Sequence, residues 1–142
     1  MQSRALDVRF PHESLDVYRA ASEFLVLAEE LAASLPKGRF YLADQLRRAA
    51  LSITLNVAEG AGEFAPAEKL RFYRIARRSG TECVAVLHAV SLLRVLREDD
   101  EAIARGRELL FRIVSMLTAM VLRGKRQESG ADGAVEGDDG PG

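Results

Sequence analysis

The sequence lacks the features that mark secreted, membrane-spanning and disulfide-bonded proteins. Cys83 is the only cysteine among 142 residues, so no intrachain disulfide can form and nothing indicates an oxidising compartment. No segment approaches the roughly 18 uninterrupted apolar residues of a membrane helix, and the N-terminal residues do not follow the pattern of a signal peptide. We therefore expect a soluble, cytoplasmic protein.

Motifs that carry catalysis are also missing. The chain has no Gly-x-Ser-x-Gly elbow, no Walker-type Gly-Lys-Ser/Thr and no Gly-x-Gly-x-x-Gly. A di-metal site in a helical bundle needs Glu-x-x-His at helical spacing, which neither His12 nor His88 provides. Cys83 falls on an apolar helix face, where an inert buried thiol is expected. The sequence predicts a non-enzymatic protein with no catalytic residue, no metal and no cofactor.

Charge is distributed unevenly along the chain. The net charge of −1 comes from 20 basic and 21 acidic residues, and it argues at first against binding through bulk positive charge. Five of the acidic residues lie from Glu128 onward, so residues 1–127 carry 20 basic against 16 acidic groups. Residues 124–142 hold six of the eleven glycines and almost no large apolar side chain. We predict a disordered, Gly-rich acidic tail over 124–142.

Residues 13–123 indicate helix. Ala, Leu, Glu and Arg dominate, and no run alternates with a period of two. Turn residues divide the region into four helices, at about 13–35, 40–61, 66–96 and 99–123. Pro66 fits the first turn of helix 3, and Asp99 or Asp100 fits the cap of helix 4. The short connections predict an all-α, up-down-up-down four-helix bundle after an N-terminal arm of residues 1–12.

Helix 2 carries two apolar stripes where a small monomeric bundle needs one. The first stripe contains Leu42, Leu46, Ala49, Ile53 and Val57. The second contains Leu51, Leu55 and Ala58, and a polar seam of Gln45, Ser52, Asn56 and Glu59 lies between the two. We predict that the second stripe packs against another copy of the chain. Helix 4 points the same way, because its apolar residues cover more than half its circumference. The alternative is that one compact bundle buries both stripes.

Helix 3 displays a basic face. Arg71, Arg74, Arg77 and Arg78 lie within two turns, opposite an apolar face. Glu68 and Glu82 are placed to pair with Arg71 and Arg78, which leaves the other two arginines without a local carboxylate and suggests phosphate contact. Arg47 and Arg48 of helix 2 are candidates to extend the patch, with Arg48 alternatively at an interface. A merely solvated basic face is the competing interpretation.

The stretch QLRRAALSITLNVAEGAGE at residues 45–63, followed by Pro66 and Phe72, resembles a bacterial four-helix bundle family. That family includes the 23S ribosomal RNA intervening-sequence proteins and the accessory variability determinant of diversity-generating retroelements. The resemblance implies a homopentameric barrel of bundles. It also implies that Gln45, Ser52, Asn56, Glu59 and Gly60 determine fold and assembly, with a cation such as Arg47 or Arg48 near Glu59. In the retroelement members, the basic pentamer binds nucleic acid and associates with a reverse transcriptase.

Two functional hypotheses follow from these observations. The first is a homo-oligomer that presents the helix 3 arginines for sequence-nonspecific binding of RNA or DNA, in the retroelement case as an accessory to a reverse transcriptase. The second is a protein-interaction or scaffold module in which the arginines engage an acidic partner surface. A bundle-core metal enzyme is the least favoured interpretation, since the ligand pattern is missing.

Overall fold

The computed structural model describes residues 8–97 and 100–136, with side chains as far as residue 130. A short 3-10 helix at Pro11–Ser14 precedes four α-helices, and no strand occurs in these ranges. The helices are α1 (Asp16–Ser34), α2 (Phe40–Gly62), α3 (Pro66–Leu92) and α4 (Glu101–Glu136). Each packs against the next, and α4 returns to α1, which closes a four-sided bundle. The prediction of an all-α four-helix bundle is confirmed. None of the described helices is long and apolar enough to cross a membrane.

The starts of α3 and α4 follow the expected residue chemistry. Pro66 opens α3 at a position where its missing N–H costs no helical hydrogen bond, and α2 ends at Gly62. The Asp100 carboxylate accepts hydrogen bonds from the backbone N–H groups of Ala102 (2.9 Å) and Ile103 (3.4 Å), so it caps α4. These local signals position the turns that hold the four helices in sequence.

Helix α3 ends at Leu92, four residues before the predicted position at 96. Arg94 has a φ of 55°, in the left-handed region, and its N–H donates to the Ser91 carbonyl at 3.1 Å. The next N–H, of Val95, donates to the Val90 carbonyl at 3.0 Å. This pair of hydrogen bonds is a Schellman motif, which usually has Gly at the left-handed position. The sequence prediction missed the helix end because Arg occupies that position.

The core contains the first stripe of α2 and most of the apolar arc of α4. Fully buried side chains from all four helices meet there, including Phe24, Ile53, Leu87 and Leu110. Six apolar residues of α4 are buried within the single chain: Ile103, Leu109, Leu110, Ile113, Leu117 and Val121. The prediction that this wide apolar arc faces another copy is wrong for these residues, because α4 packs against both α1 and α3.

Helix α4 continues well beyond the predicted end at residue 123. Gly124 packs so closely on Leu70 of α3 that a Cβ there would overlap the Leu70 side chain. This glycine therefore permits close packing between α3 and α4 instead of stopping the helix. The structure places residues 124–136 in α4, whereas the sequence predicts a separate tail from 124. The rest of that predicted tail, 137–142, lies outside the described residues, as do residues 1–7 of the predicted arm.

Candidate nucleic-acid interface

All four arginines predicted on the basic face of α3 are solvent-exposed. Arg71 pairs with Glu68 of the same helix at 3.4 Å, and its guanidinium lies 5.3 Å from the centroid of the Phe72 ring. Arg74, Arg77 and Arg78 have no carboxylate within ion-pair distance among the described residues. We call these three residues the arginine triad. Three unpaired guanidiniums within five residues repel one another and attract anions.

Glu82 does not neutralise Arg78 as the i,i+4 spacing predicts. Its carboxylate instead accepts a hydrogen bond from Gln45 Nε2 of α2 at 3.2 Å, across 37 residues of sequence. The sequence-based pairing of Glu82 with Arg78 is therefore wrong, and the basic face has one more unpaired arginine than predicted. The Gln45–Glu82 contact also ties a residue of the predicted polar seam to α3.

The triad spans two flanks of α3. Arg78 lies four residues before Glu82, which contacts Gln45 of α2. Arg78 therefore lies on the flank of α3 that faces α2. Arg77 lies four residues before Thr81, which lines a groove between α3 and α4. Thr81 Oγ1 also donates a hydrogen bond to the Arg77 carbonyl at 3.2 Å. Arg74, three residues before Arg77, lies between the two flanks.

The arginines of α2 point elsewhere. Arg47 Nε lies 3.1 Å from Glu29 of α1, and Arg48 Nε lies 3.2 Å from Asp44 of its own helix. The structure therefore does not bring Arg47 into contact with the α3 arginines, and both side chains already have a carboxylate. The expectation that one of them neutralises Glu59 is wrong, since Glu59 is exposed and has no ion-pair partner among the described residues.

Ser52 of the polar seam joins α2 to α3, and Asn56 bonds to Ser52 within α2. Ser79 is nearly buried, and its hydroxyl donates to the Ser52 hydroxyl at 2.8 Å. Asn56 Nδ2 donates to the Ser52 carbonyl at 2.8 Å and to the Ser52 hydroxyl at 3.1 Å. This network satisfies polar groups within one chain, which agrees with a role in the fold.

Gly60 permits a close approach of α2 to α3. A Cβ at this position would lie 2.6 Å from Cε1 of the Tyr73 ring. Lys69 Nζ donates to the Gly60 carbonyl at 2.6 Å and to the Ala61 carbonyl at 3.4 Å, so it caps the C-terminal end of α2. Sequence reasoning did not single out Lys69, because its contact depends on how α3 packs against the end of α2.

The second apolar stripe of α2 remains uncovered in the single chain. Leu51 is 46% exposed and Leu55 is 55% exposed, whereas the first stripe is buried. The alternative that one bundle buries both stripes is therefore excluded for these two leucines. Exposed leucines on consecutive turns form an apolar patch beside the polar seam.

The α3–α4 groove has a volume of about 1050 Å³, and sequence reasoning did not identify it. It is lined by Thr81, Val84 and His88 of α3 and by Arg107, Phe111 and Val114 of α4, among others. Arg112 also lines it, and neither Arg107 nor Arg112 has a carboxylate partner among the described residues. Phe111 is 75% exposed. The groove therefore combines unpaired cations with an uncovered aromatic ring.

Glu108 and Arg105 also line the groove, but their charges are largely compensated. Arg105 pairs with Glu23 of α1 and, at 3.3 Å, with Glu108. The hydrogen bond from Arg105 to Glu23, followed by the charge of Glu23, raises the pKa of the Arg105 guanidinium above its ordinary value. The acidic residue in the groove is thus held by Arg105, which leaves Arg107 and Arg112 free to bind an anion.

The described residues show no arrangement that indicates metal or nucleophile chemistry. No three His, Cys, Asp or Glu side chains in that part of the chain come together as metal ligands. Cys83 is fully buried, and burial, reinforced by the charge of Glu82, raises the pKa of its thiol to about 12. A thiol in this environment is a poor nucleophile, as its position on the apolar face of α3 predicts.

The fold and this surface define a helical bundle with one exposed basic face and one uncovered apolar stripe. The family model described as 23S rRNA-intervening sequence protein matches residues 13–119. The chain belongs to this family, which confirms the resemblance drawn from residues 45–63. No curated protein matches the chain.

Proposed function

We propose that the protein is a non-enzymatic nucleic-acid-binding protein and that the arginine triad of α3 contacts backbone phosphates. One observation carries this proposal: Arg74, Arg77 and Arg78 are exposed within five residues and have no carboxylate partner among the described residues. The description of the family refers to ribosomal RNA, which makes RNA the first ligand to test. Phosphate contacts of this kind position a nucleic acid without reading its sequence.

Self-association would multiply the effect of the triad. The exposed leucines of α2, Leu51 and Leu55, are the surface that we propose for contact with another copy. A ring of five copies, as the family resemblance implies, would present the triad five times to one ligand. Several weak sites on one assembly bind a long polyanion far more tightly than one site does.

The test compares two triple variants that remove the same charge from different faces. Arg74→Gln, Arg77→Gln and Arg78→Gln together remove the triad, whereas Arg19→Gln, Arg47→Gln and Arg48→Gln remove three arginines from α1 and α2. Binding of labelled RNA is followed by fluorescence anisotropy at several salt concentrations. We expect loss of affinity in the triad variant and near-native binding in the control.

The size of the salt effect follows from the number of contacts. Three phosphate contacts by a single triad give a slope of log affinity against log salt of about −2 for a single strand, so raising salt from about 50 to about 200 mM weakens binding about 20-fold for each triad engaged. The triad variant should show a slope smaller by about this amount. Equal losses in the two triple variants, or no binding by the native protein at low salt, would refute the proposal.

An acidic protein partner is the second candidate function. Four other arginines of the chain pair with carboxylates: Arg47, Arg48, Arg71 and Arg105. The triad arginines have the same chemistry, so they can pair with carboxylates of a partner protein as well. A reverse transcriptase, the partner of the retroelement members, is one such protein to test. In that case Arg74→Glu, Arg77→Glu and Arg78→Glu together abolish partner capture, while the native protein binds no nucleic acid.

A further inference from the structure

The α3–α4 groove holds an exposed aromatic ring between unpaired arginines. Arg107 lies one helical turn before Phe111 on α4, and Arg112 follows it directly. Phe111 makes no ring contact among the described residues, and three-quarters of it is open to solvent. Burying a large apolar ring is favourable, so an uncovered Phe inside a groove is a candidate for ligand contact.

One member of the arginine triad, Arg77, lies one helical turn before Thr81 of the groove lining and on the same flank of α3. The Cβ position of Gly80 lies 3.0 Å from Val114 Cγ2, which fixes how the antiparallel helices α3 and α4 face each other. A helix rises about 1.5 Å per residue. Measured along the bundle axis from the Gly80–Val114 contact, Arg77 of α3 therefore lies about 4.5 Å in one direction, and Arg107 of α4 lies about 10 Å in the opposite direction. Cations therefore lie on both sides of Phe111 over roughly 15 Å along the bundle axis.

We propose that this groove binds single-stranded nucleic acid, with one unpaired base stacked on Phe111 and phosphates held by Arg107, Arg112 and Arg77. This inference rests on the proposed nucleic-acid binding and adds its substrate class. Basic grooves with an exposed aromatic side chain bind single strands because every base offers a flat face to the ring. In a duplex those faces are already covered by neighbouring bases, so a duplex can offer only its phosphates.

The groove also has polar groups that suit a nucleotide. His88 and Thr81 are exposed on its α3 wall, where they can exchange hydrogen bonds with sugar or base edges. Val84, Leu110 and Val114 supply apolar contact around the ring position. Glu108 is the acidic side chain in the groove lining, and it forms an ion pair with Arg105. The net charge of the groove thus stays positive.

The decisive experiment measures single-strand and duplex binding by the full chain. Labelled RNA of mixed sequence is titrated by anisotropy as a single strand and as a hairpin duplex of equal phosphate number. The variants are Phe111→Leu, which keeps an apolar side chain but removes the ring, and Phe111→Trp, which keeps a stacking surface. Phe40→Leu on α2 is the matched control, since Phe40 is equally exposed at 76% and lies outside the groove.

We expect Phe111→Leu to weaken single-strand binding about 10-fold and to leave duplex binding unchanged. Phe111→Trp should retain or tighten single-strand binding, and Phe40→Leu should have no effect. Unchanged single-strand binding by Phe111→Leu would overturn the inference about the groove. Salt-sensitive binding in that variant would still support phosphate contact by the triad. Absence of any nucleic-acid binding by the native protein would remove both. Competition by poly-glutamate as strong as that by RNA, per charge, would overturn the inference and assign the groove to an acidic protein segment.

Discussion

Gly60 permits the close contact between α2 and α3, and replacing it with Ala tests how rigid that contact is. The added Cβ would lie 2.6 Å from Cε1 and 2.8 Å from Cδ1 of Tyr73, well inside ordinary van der Waals contact. The Tyr73 ring has little room to move, because the residue is only 7% exposed and Lys69 Nζ lies 5.7 Å from its centroid. Gly62, two residues later in the same helix, has no atom within 4 Å of its Cβ position.

The comparison of Gly60→Ala with Gly62→Ala isolates the steric cost. Both substitutions gain helix propensity, up to about 1 kcal/mol each in a helix interior. Only Gly60→Ala meets the buried ring, and overpacking of this kind costs about 1–3 kcal/mol. We therefore expect the free energy of unfolding to be about 1–3 kcal/mol lower for Gly60→Ala than for Gly62→Ala. Gly62→Ala should be at least as stable as the native protein.

Urea denaturation followed by far-ultraviolet circular dichroism measures both variants. The slope against urea should stay the same, so that the midpoint reports stability directly. Adding Tyr73→Leu completes a double-mutant cycle in which the cost of Gly60→Ala should largely disappear. If Gly60→Ala is as stable as Gly62→Ala, the ring moves aside freely and Gly60 does not determine the α2–α3 contact.

Four further predictions follow from single contacts. Arg94→Gly should stabilise the fold by about 0.5–1 kcal/mol in thermal unfolding, because it relieves a left-handed backbone, whereas Arg94→Ala should give no gain. Lys69→Met should lower the free energy of unfolding by about 1–2 kcal/mol, since two carbonyls at the end of α2 lose their charged donor. An unchanged urea midpoint would contradict the role of Lys69 as a cap of α2. The free energy of unfolding should fall above about pH 9, by up to about 1.4 kcal/mol per pH unit. The reason is that the unfolded chain releases the Cys83 proton near the ordinary pKa of 9.0, whereas the pKa of this thiol in the folded chain is about 12. Cys83→Ala should remove that part of the pH dependence. Light scattering should give a mass well above 15.6 kDa for the native chain and a smaller assembly for Leu51→Ser with Leu55→Ser, so a monomeric native chain would exclude self-association through α2.

Local sequence patterns predicted the helices because each pattern reports on its own segment. The first apolar stripe of α2 is buried as its spacing indicates, and Pro66 and Asp100 act at helix starts where their chemistry fits. The end of α3 was missed for a physical reason. A Schellman motif is recognised by Gly, and here Arg94 adopts the left-handed conformation without that signal.

Contacts between distant segments limited the prediction of the site. The i,i+4 rule placed Glu82 with Arg78, but packing of α2 on α3 brought Gln45 to the same carboxylate. Similarly, Gly124 has the composition of a flexible tail, yet its lack of a side chain lets α4 pack on Leu70. The groove around Phe111 is formed by two helices together, so no spacing within either helix reveals it.

The placement of charge around the bundle reconciles the net charge of −1 with the proposed binding to a polyanion. Helix α1 carries four acidic residues and one arginine, whereas α3 carries five Lys and Arg residues and two Glu. Among the described residues α1 packs against α2 and α4 but not against α3, so the acidic and basic helices lie on opposite corners of the bundle. Glu23 and Glu29 of α1 are paired with arginines, whereas the arginine triad of α3 has no carboxylate partner among the described residues, so a polyanion is attracted to the α3 side. Leu51 and Leu55 of α2 are not among the residues that line the α3–α4 groove, so the surfaces that we propose for self-association and for nucleic-acid binding are distinct on one chain.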